Sequence, residues 1–179
     1  MTLEEMKDKV YAMIEEYNED ADDLTEDEDL ALKMNGVINQ IQNELARHKK
    51  IPAIKEIEVT EGDIKLLNEI ADDMYQLNTI KGIDADINLN EVIFNETGTA
   101  KIYYYKYPTQ IDRNTEDNYE FELSRDVLEI MPYGVAGDIL KSDVSSQYGH
   151  IYFDRYRQLL QELDTKYGTM VAYIDGGID

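Results

Sequence analysis

The stretch Ala100-Lys101-Ile102-Tyr103-Tyr104-Tyr105-Lys106-Tyr107-Pro108-Thr109-Gln110-Ile111 is the clearest strand in the chain, and the segments on either side of it read mainly as helix. Strand side chains alternate between two sides, so Ile102, Tyr104 and Lys106 share one face while Tyr103, Tyr105 and Tyr107 make the other wholly aromatic. Proline has no N–H to give to a ladder, so the strand ends at Pro108 or lies there on an edge. Upstream, Asn95-Glu96-Thr97-Gly98 has hairpin-turn composition, which makes Ile87–Phe94 the expected partner strand. A tyrosine face in a small sheet suits a core or a subunit contact better than a sugar-binding or base-stacking platform.

Working outward, Thr2 and Glu5 form a capping box ahead of Leu3, Met6, Val10, Met13, Ile14 and Tyr17, which recur at helical spacing and predict a helix over about 3–18. Thr25 and Glu28 repeat the device ahead of Leu30, Met34, Val37, Ile38, Ile41 and Leu45, predicting a longer helix that ends near His48. A short loop between them predicts antiparallel neighbours. Ile54–Val59 alternates as a half-exposed strand. Residues 64–74 allow a short helix, and Tyr75–Ile83 alternates loosely as a strand. Tyr119–Leu123 has strand composition as well.

From Ser124 the helical period returns through Val127, Leu128, Met131, Val135, Ala136, Ile139 and Leu140. Pro132 breaks it into a single turn at Arg125–Ile130 and a helix from Pro132 to about Lys141. Gly134, Ala136 and Gly137 are small enough to let a neighbouring helix approach closely. Ser142–Ser146 reads as a turn with Ser145 or Ser146 as the next cap. Tyr148, Ile151, Tyr152, Tyr156, Leu159, Leu160 and Leu163 form a last apolar stripe, with Gly168 as its stop. Met170–Ile174 and the residues to Asp179 read as an extended arm that needs a partner.

The expected class is therefore α+β, with a four-helix core of two N-terminal and two C-terminal helices, an inserted small antiparallel β module and an extended C-terminal arm. The expected division is residues 1–53 with 124–168 as the helical core, 54–123 as the β module and 169–179 as the arm. A chain of 179 residues is long enough to bury about 70% of its unfolded surface. The start, Met-Thr-Leu-Glu-Glu, and the lack of a long apolar run predict a cytosolic product without a leader. With no cysteine, disulfides and thiolate chemistry are excluded.

The formal charge of −22 argues against binding to phosphate backbones or anionic membranes. Residues 15–29 hold ten acidic residues and no basic one, and Arg47, His48, Lys49 and Lys50 form the compact basic group, read as complementing the dipole at a helix end. Asn18, Asp20, Asp22, Glu26 and Asp29 fall in a calcium-loop frame, but Asp23 stands where that loop needs glycine and Asp29 where it needs a bidentate glutamate. The segment reads as a solvated acidic loop. His48 and His150 lack a carboxylate at catalytic spacing, and no nucleophile elbow, metalloprotease motif, phosphate loop or dinucleotide fingerprint occurs. No enzyme, cofactor or metal is expected.

The opening helical pair with Leu30–Ile51, the strand Ile102–Pro108, the turn-and-helix Leu128-Glu129-Ile130-Met131-Pro132-Tyr133-Gly134-Val135-Ala136, and Asp143–Leu163 with Tyr148, Tyr152 and Tyr156 together resemble the head–tail connector (adaptor, or head-completion) proteins of tailed bacteriophages. The resemblance implies a non-enzymatic virion protein. It would form a ring, often of twelve copies, between portal and tail, assembled in the host bacterial cytoplasm and then held in the virion neck. Its implied partners are further copies of itself and the portal and tail proteins, with DNA only as passing cargo and no membrane. Expected contact residues are Tyr103, Tyr105, Tyr107, Tyr148, Tyr152, Met170, Tyr173 and Ile174. Asp20, Asp22, Asp23 and Asp27 are the expected acidic channel surface. The alternative is a monomeric bacterial binding or scaffold module that holds a peptide or sugar on its tyrosine face. An acidic nucleic-acid mimic is a third reading, for which the acidic loop is too short.

Overall fold

The computed structural model describes residues 1–15, 28–141 and 148–167, with side chains for 1–14, 30–141 and 149–163. Thr2 caps the first helix as expected: its hydroxyl accepts from the Glu5 N–H at 3.2 Å, and the Glu5 carboxylate accepts from the Thr2 N–H at 3.0 Å. The helices are α1 (Leu3–Glu15), α2 (Glu28–His48), two single turns α3 (Leu67–Ile70) and α4 (Arg125–Leu128), α5 (Met131–Lys141) and α6 (Tyr148–Tyr167). The strands are β1 (Ile51–Val59), β2 (Ile64–Leu66), β3 (Met74–Lys81), β4 (Ala85–Asn88), β5 (Glu91–Phe94) and β6 (Gly98–Lys106). They form two antiparallel three-stranded sheets, ordered β1-β6-β3 and β2-β5-β4, so the fold is α+β.

Proline breaks the third helical pattern where its geometry requires: α4 is a single turn, and Pro132 sits in the first turn of α5, where the missing N–H costs no ladder bond. α5 is the common neighbour of α1, α2 and α6. The first two helices were expected to be antiparallel neighbours, and both lay their stripes against α5. Small residues make this possible. A Cβ on Gly134 would lie 3.0 Å from the Tyr156 ring and 3.2 Å from Ile41 Cδ1, and one on Gly137 would lie 2.9 Å from the Phe153 backbone nitrogen.

The larger core joins α1 (Leu3, Met6, Val10, Ile14), α2 (Met34, Ile38, Ile41, Leu45), α5 and α6. It is not confined to the four long helices, because Val127 and Leu128 of α4 and Ile111, Phe121 and Leu123 from irregular segments are buried in it too. The smaller core lies between the sheets, where Val92 and Phe94 of β5 join Ala100, Ile102 and Tyr104 of β6.

Several strand expectations need correction. β6 does not pair with the strand before it, because both edges of β5 are already taken by β2 and β4; its neighbours are β1 and β3. Ile87–Phe94 is not one strand but a hairpin turning at Leu89-Asn90, with Leu89 at φ 57°. Asn95 then ties down the start of β4, donating to the Asp84 and Asp86 carboxylates at 3.1 and 3.0 Å. Ile51-Pro52-Ala53 already belongs to the edge strand β1, and residues 64–70 divide into β2 and α3 instead of forming one short helix. Tyr119–Leu123 is not a strand; only Glu120 bridges, to Thr2.

Beyond Lys106 the chain leaves the sheet and α2 takes over its backbone. Asn39 donates to the Ile111 carbonyl at 2.8 Å and accepts from the Ile111 N–H at 2.9 Å, while Gln42 donates to the Thr109 carbonyl at 3.0 Å. These amides substitute for a ladder partner where Pro108 has ended the strand. Among the described residues, no helix is long and apolar enough to cross a membrane.

Candidate functional site

The alternation read from the sequence of β6 holds. Ala100, Ile102 and Tyr104 are buried, whereas Tyr103 and Tyr105 on the strand, and Tyr107 just beyond it, are half-exposed on the opposite side. Directly paired residues of an antiparallel sheet share a face, so this outer face is built in rows. Glu56, Lys101 and Lys81 form the first, Ile54, Tyr103 and Thr79 the second, and Pro52, Tyr105 and Gln76 the third. Ile54 is 61% exposed.

At the end nearest the helices, the β3 irregularity at Met74–Gln76 adds Tyr75 to the group. Its ring lies 6.5 Å from that of Tyr105 and 5.1 Å from that of Tyr107, and its hydroxyl donates to the Ala46 carbonyl near the end of α2 at 3.2 Å. Burial, with Tyr105 and Tyr107 beside it, raises the Tyr75 pKa against a smaller lowering by Arg47. On the inner side, Tyr104 donates to the Asp73 carboxylate at 3.1 Å; burial and that bond push its pKa up to about 12.

Three cations stand over these rings. The Arg47 guanidinium lies 5.7 Å from the Tyr107 centroid, Lys50 Nζ 4.5 Å from Tyr105 and Lys81 Nζ 5.1 Å from Tyr103. Arg47 also donates to the Tyr107 hydroxyl at 3.2 Å. The basic group at the end of α2 therefore reaches across to other elements instead of merely complementing the helix dipole. Lys49 adds a third such link, pairing with Asp126 of α4 at 2.6 Å. Sequence reading had no signal for Lys81 or Tyr75, which sit on the neighbouring strand β3, about twenty-five residues upstream in the chain, and adjoin Tyr103 and Tyr105 only through the register.

The other expected contact residues are placed differently. Tyr152 is buried in the helical core, where it donates to the Met13 carbonyl at 3.3 Å and its ring meets Tyr133 at 6.3 Å. It serves packing, because its place on the α6 stripe turns it toward α5. Tyr148 opens α6. Met170, Tyr173, Ile174 and the acidic residues Asp20, Asp22, Asp23 and Asp27 lie outside the described residues, as do the calcium-loop frame up to Glu26, the Ser145 and Ser146 caps, and the Gly168 stop.

The other concavities are open clefts. One of about 380 Å³ is lined by Asn43, Asp72, Asp73, Tyr107, Pro108, Thr109 and Gln110. It combines two carboxylates with amides, the Thr109 hydroxyl and the Tyr107 phenol, with no histidine or cation among the lining residues. His48 and His150 are exposed, one ending α2 and one in the first turn of α6. Among the described residues, no group of three or more histidines and carboxylates is placed to hold a metal ion. The arrangement best equipped for recognition is the tyrosine face, a flat surface of rings, aliphatic groups and cations that matches the composition of protein contacts. Neither the comparison with protein-family models nor that with curated proteins gives a match.

Proposed function

We propose that the chain is a structural subunit of the neck of a tailed bacteriophage, a connector that assembles into a ring between portal and tail and lets DNA pass. In this reading, residues 1–50 and 124–168 act as one helical core, 51–123 as an inserted module, and 169–179 as an arm that reaches a neighbour. The observation that carries it is the outer face of β1-β6-β3. It presents half-exposed Tyr103, Tyr105 and Tyr107 beside Ile54 at 61% exposure, a flat aromatic surface of the kind used to join subunits. The high negative charge supports it too, since an acidic channel wall repels phosphate and lets a duplex slide without sticking. Asp20, Asp22, Asp23 and Asp27 supply that wall, and lysines at the first three should slow DNA ejection. Unchanged ejection would remove them from this role.

The second reading is a monomeric binding or scaffold module. The same face favours it, because rings with flanking cations also hold peptides or sugars. Co-expression separates the two. The tagged chain, made together with the portal protein of the same genome, should elute with it as one ring-sized particle. Elution at monomer mass while the portal elutes separately would contradict the connector reading.

A further inference from the structure

A chain with 39 acidic and 17 basic residues repels its own copies, so a ring of such chains needs a contact where that repulsion is locally inverted. A ring built head to tail brings two different surfaces together at each contact, so one of them is free to be cationic.

Lys7, Lys49, Lys101, Lys106 and Arg125 are ion-paired, whereas Lys9, Lys55, Lys65 and Arg113 pair with no described carboxylate, so the lack of a partner does not by itself single out a cation. What sets Arg47, Lys50 and Lys81 apart is their shared place over the rings of one sheet face. Each lies over a tyrosine ring, and none pairs with a described carboxylate. All three are exposed, all three border the same sheet face, and that face also carries exposed Ile54 and Pro52. A cation held over a ring is already oriented, and an incoming carboxylate pairs with it without displacing a resident one.

We infer that this face is the socket of the ring contact and that its occupant is an acidic surface of the next copy of the chain. The inference rests on the ring-forming reading above and adds the charge pattern of its contact. The aromatic and aliphatic groups supply area, while the three cations select the acidic neighbour and set the register of docking.

The test uses the full chain and the double variant Lys50→Glu/Lys81→Glu, with Lys9→Glu/Arg113→Glu as a control that changes net charge equally at exposed sites away from the face. Association is followed by light scattering and the fold of each variant by circular dichroism. Wild-type rings should loosen as salt rises from about 0.05 to about 0.5 M, the range over which screening shortens to a few ångströms. The double variant should weaken association by more than about tenfold, since it sets like charges against each other. The control should stay within about threefold of the wild type, because exposed charges beyond a screening length interact little. If the double variant does not fold, Lys50→Gln/Lys81→Gln replaces it and should remove most of the salt dependence. Rings that survive the substitutions, or a control that loses as much, overturn the inference and leave the ring reading standing. A wild-type monomer that still docks on portal overturns the self-contact alone. A monomer that ignores portal overturns both. Single-stranded DNA competing for the face without affecting the rings would assign the cations to nucleic acid, against the inference.

Discussion

Replacing Gly137 by alanine should destabilise the chain, while the same substitution at Gly36 should stabilise it. Both glycines lie inside helices, where alanine is favoured by about 1 kcal/mol. They differ in surroundings. Gly36 is exposed on α2, and an added Cβ meets nothing within 4 Å. At Gly137 the added Cβ falls 2.9 Å from the Phe153 nitrogen, 3.1 Å from its Cα and 3.2 Å from its Cβ. Those are backbone or backbone-adjacent atoms of α6, so the helix as a whole must retreat by several tenths of an ångström. Overpacking of this kind costs about 1–3 kcal/mol and the propensity gain returns about 1, leaving a net loss of about 1 kcal/mol in the middle of the range. The two variants should therefore differ by about 2 kcal/mol, or roughly 4–8 °C in Tm for a chain of this size. Urea titration at one protein concentration, read by circular dichroism, measures the difference with the slope checked for constancy. Gly137→Ala matching or exceeding Gly36→Ala in stability would refute the close approach of α5 and α6.

Leu89 sits at the hairpin tip with φ 57° and 92% exposure, so Leu89→Asn should relieve an unfavourable left-handed conformation, lose no packing, and raise stability by about 0.5–1 kcal/mol; a lower urea midpoint would count against this. Asn39→Ala leaves the Ile111 N–H and carbonyl without their partner, costing about 2 kcal/mol and speeding hydrogen exchange at that amide, whereas unchanged exchange would show that α2 does not hold this segment. Tyr104 ionises at about 12 when folded, against about 10 unfolded; its contribution is fully present below about pH 10 and is lost as pH rises through about 12. Tyr104→Phe should flatten that alkaline decline in the urea midpoint, and an identical decline in both proteins would place its source elsewhere.

The helical layer was legible because its signals are local. The Thr2–Glu5 box, the stripe from Met34 to Leu45, the Pro132 break and the small residues of α5 each act within a few turns of chain, and each has the predicted consequence. The inward and outward sides of β6 were legible for the same reason. Its partners were not, because Ile51–Val59 lies some forty residues upstream, and nothing local says that β5 has no edge left to offer. The Leu89-Asn90 turn carries no Asn-Gly or Asp-Gly signature, so its hairpin passed for one strand. Within the candidate face the tyrosines were visible as an alternating run. Lys81 and Tyr75 enter only through pairing register, and Arg47 and Lys50 had a simpler explanation at the helix end. Tyr152 was misplaced since a helical stripe identifies the apolar side without saying which of its rings is covered within one copy.

Light scattering with negative-stain imaging of the concentrated, purified chain, intact and cut before Met170, tests the central claim most directly. A connector predicts closed rings with an open centre for the intact chain and their loss when the arm is removed. A species that stays monomeric at every concentration, with and without the arm, would contradict self-assembly and favour the monomeric binding module.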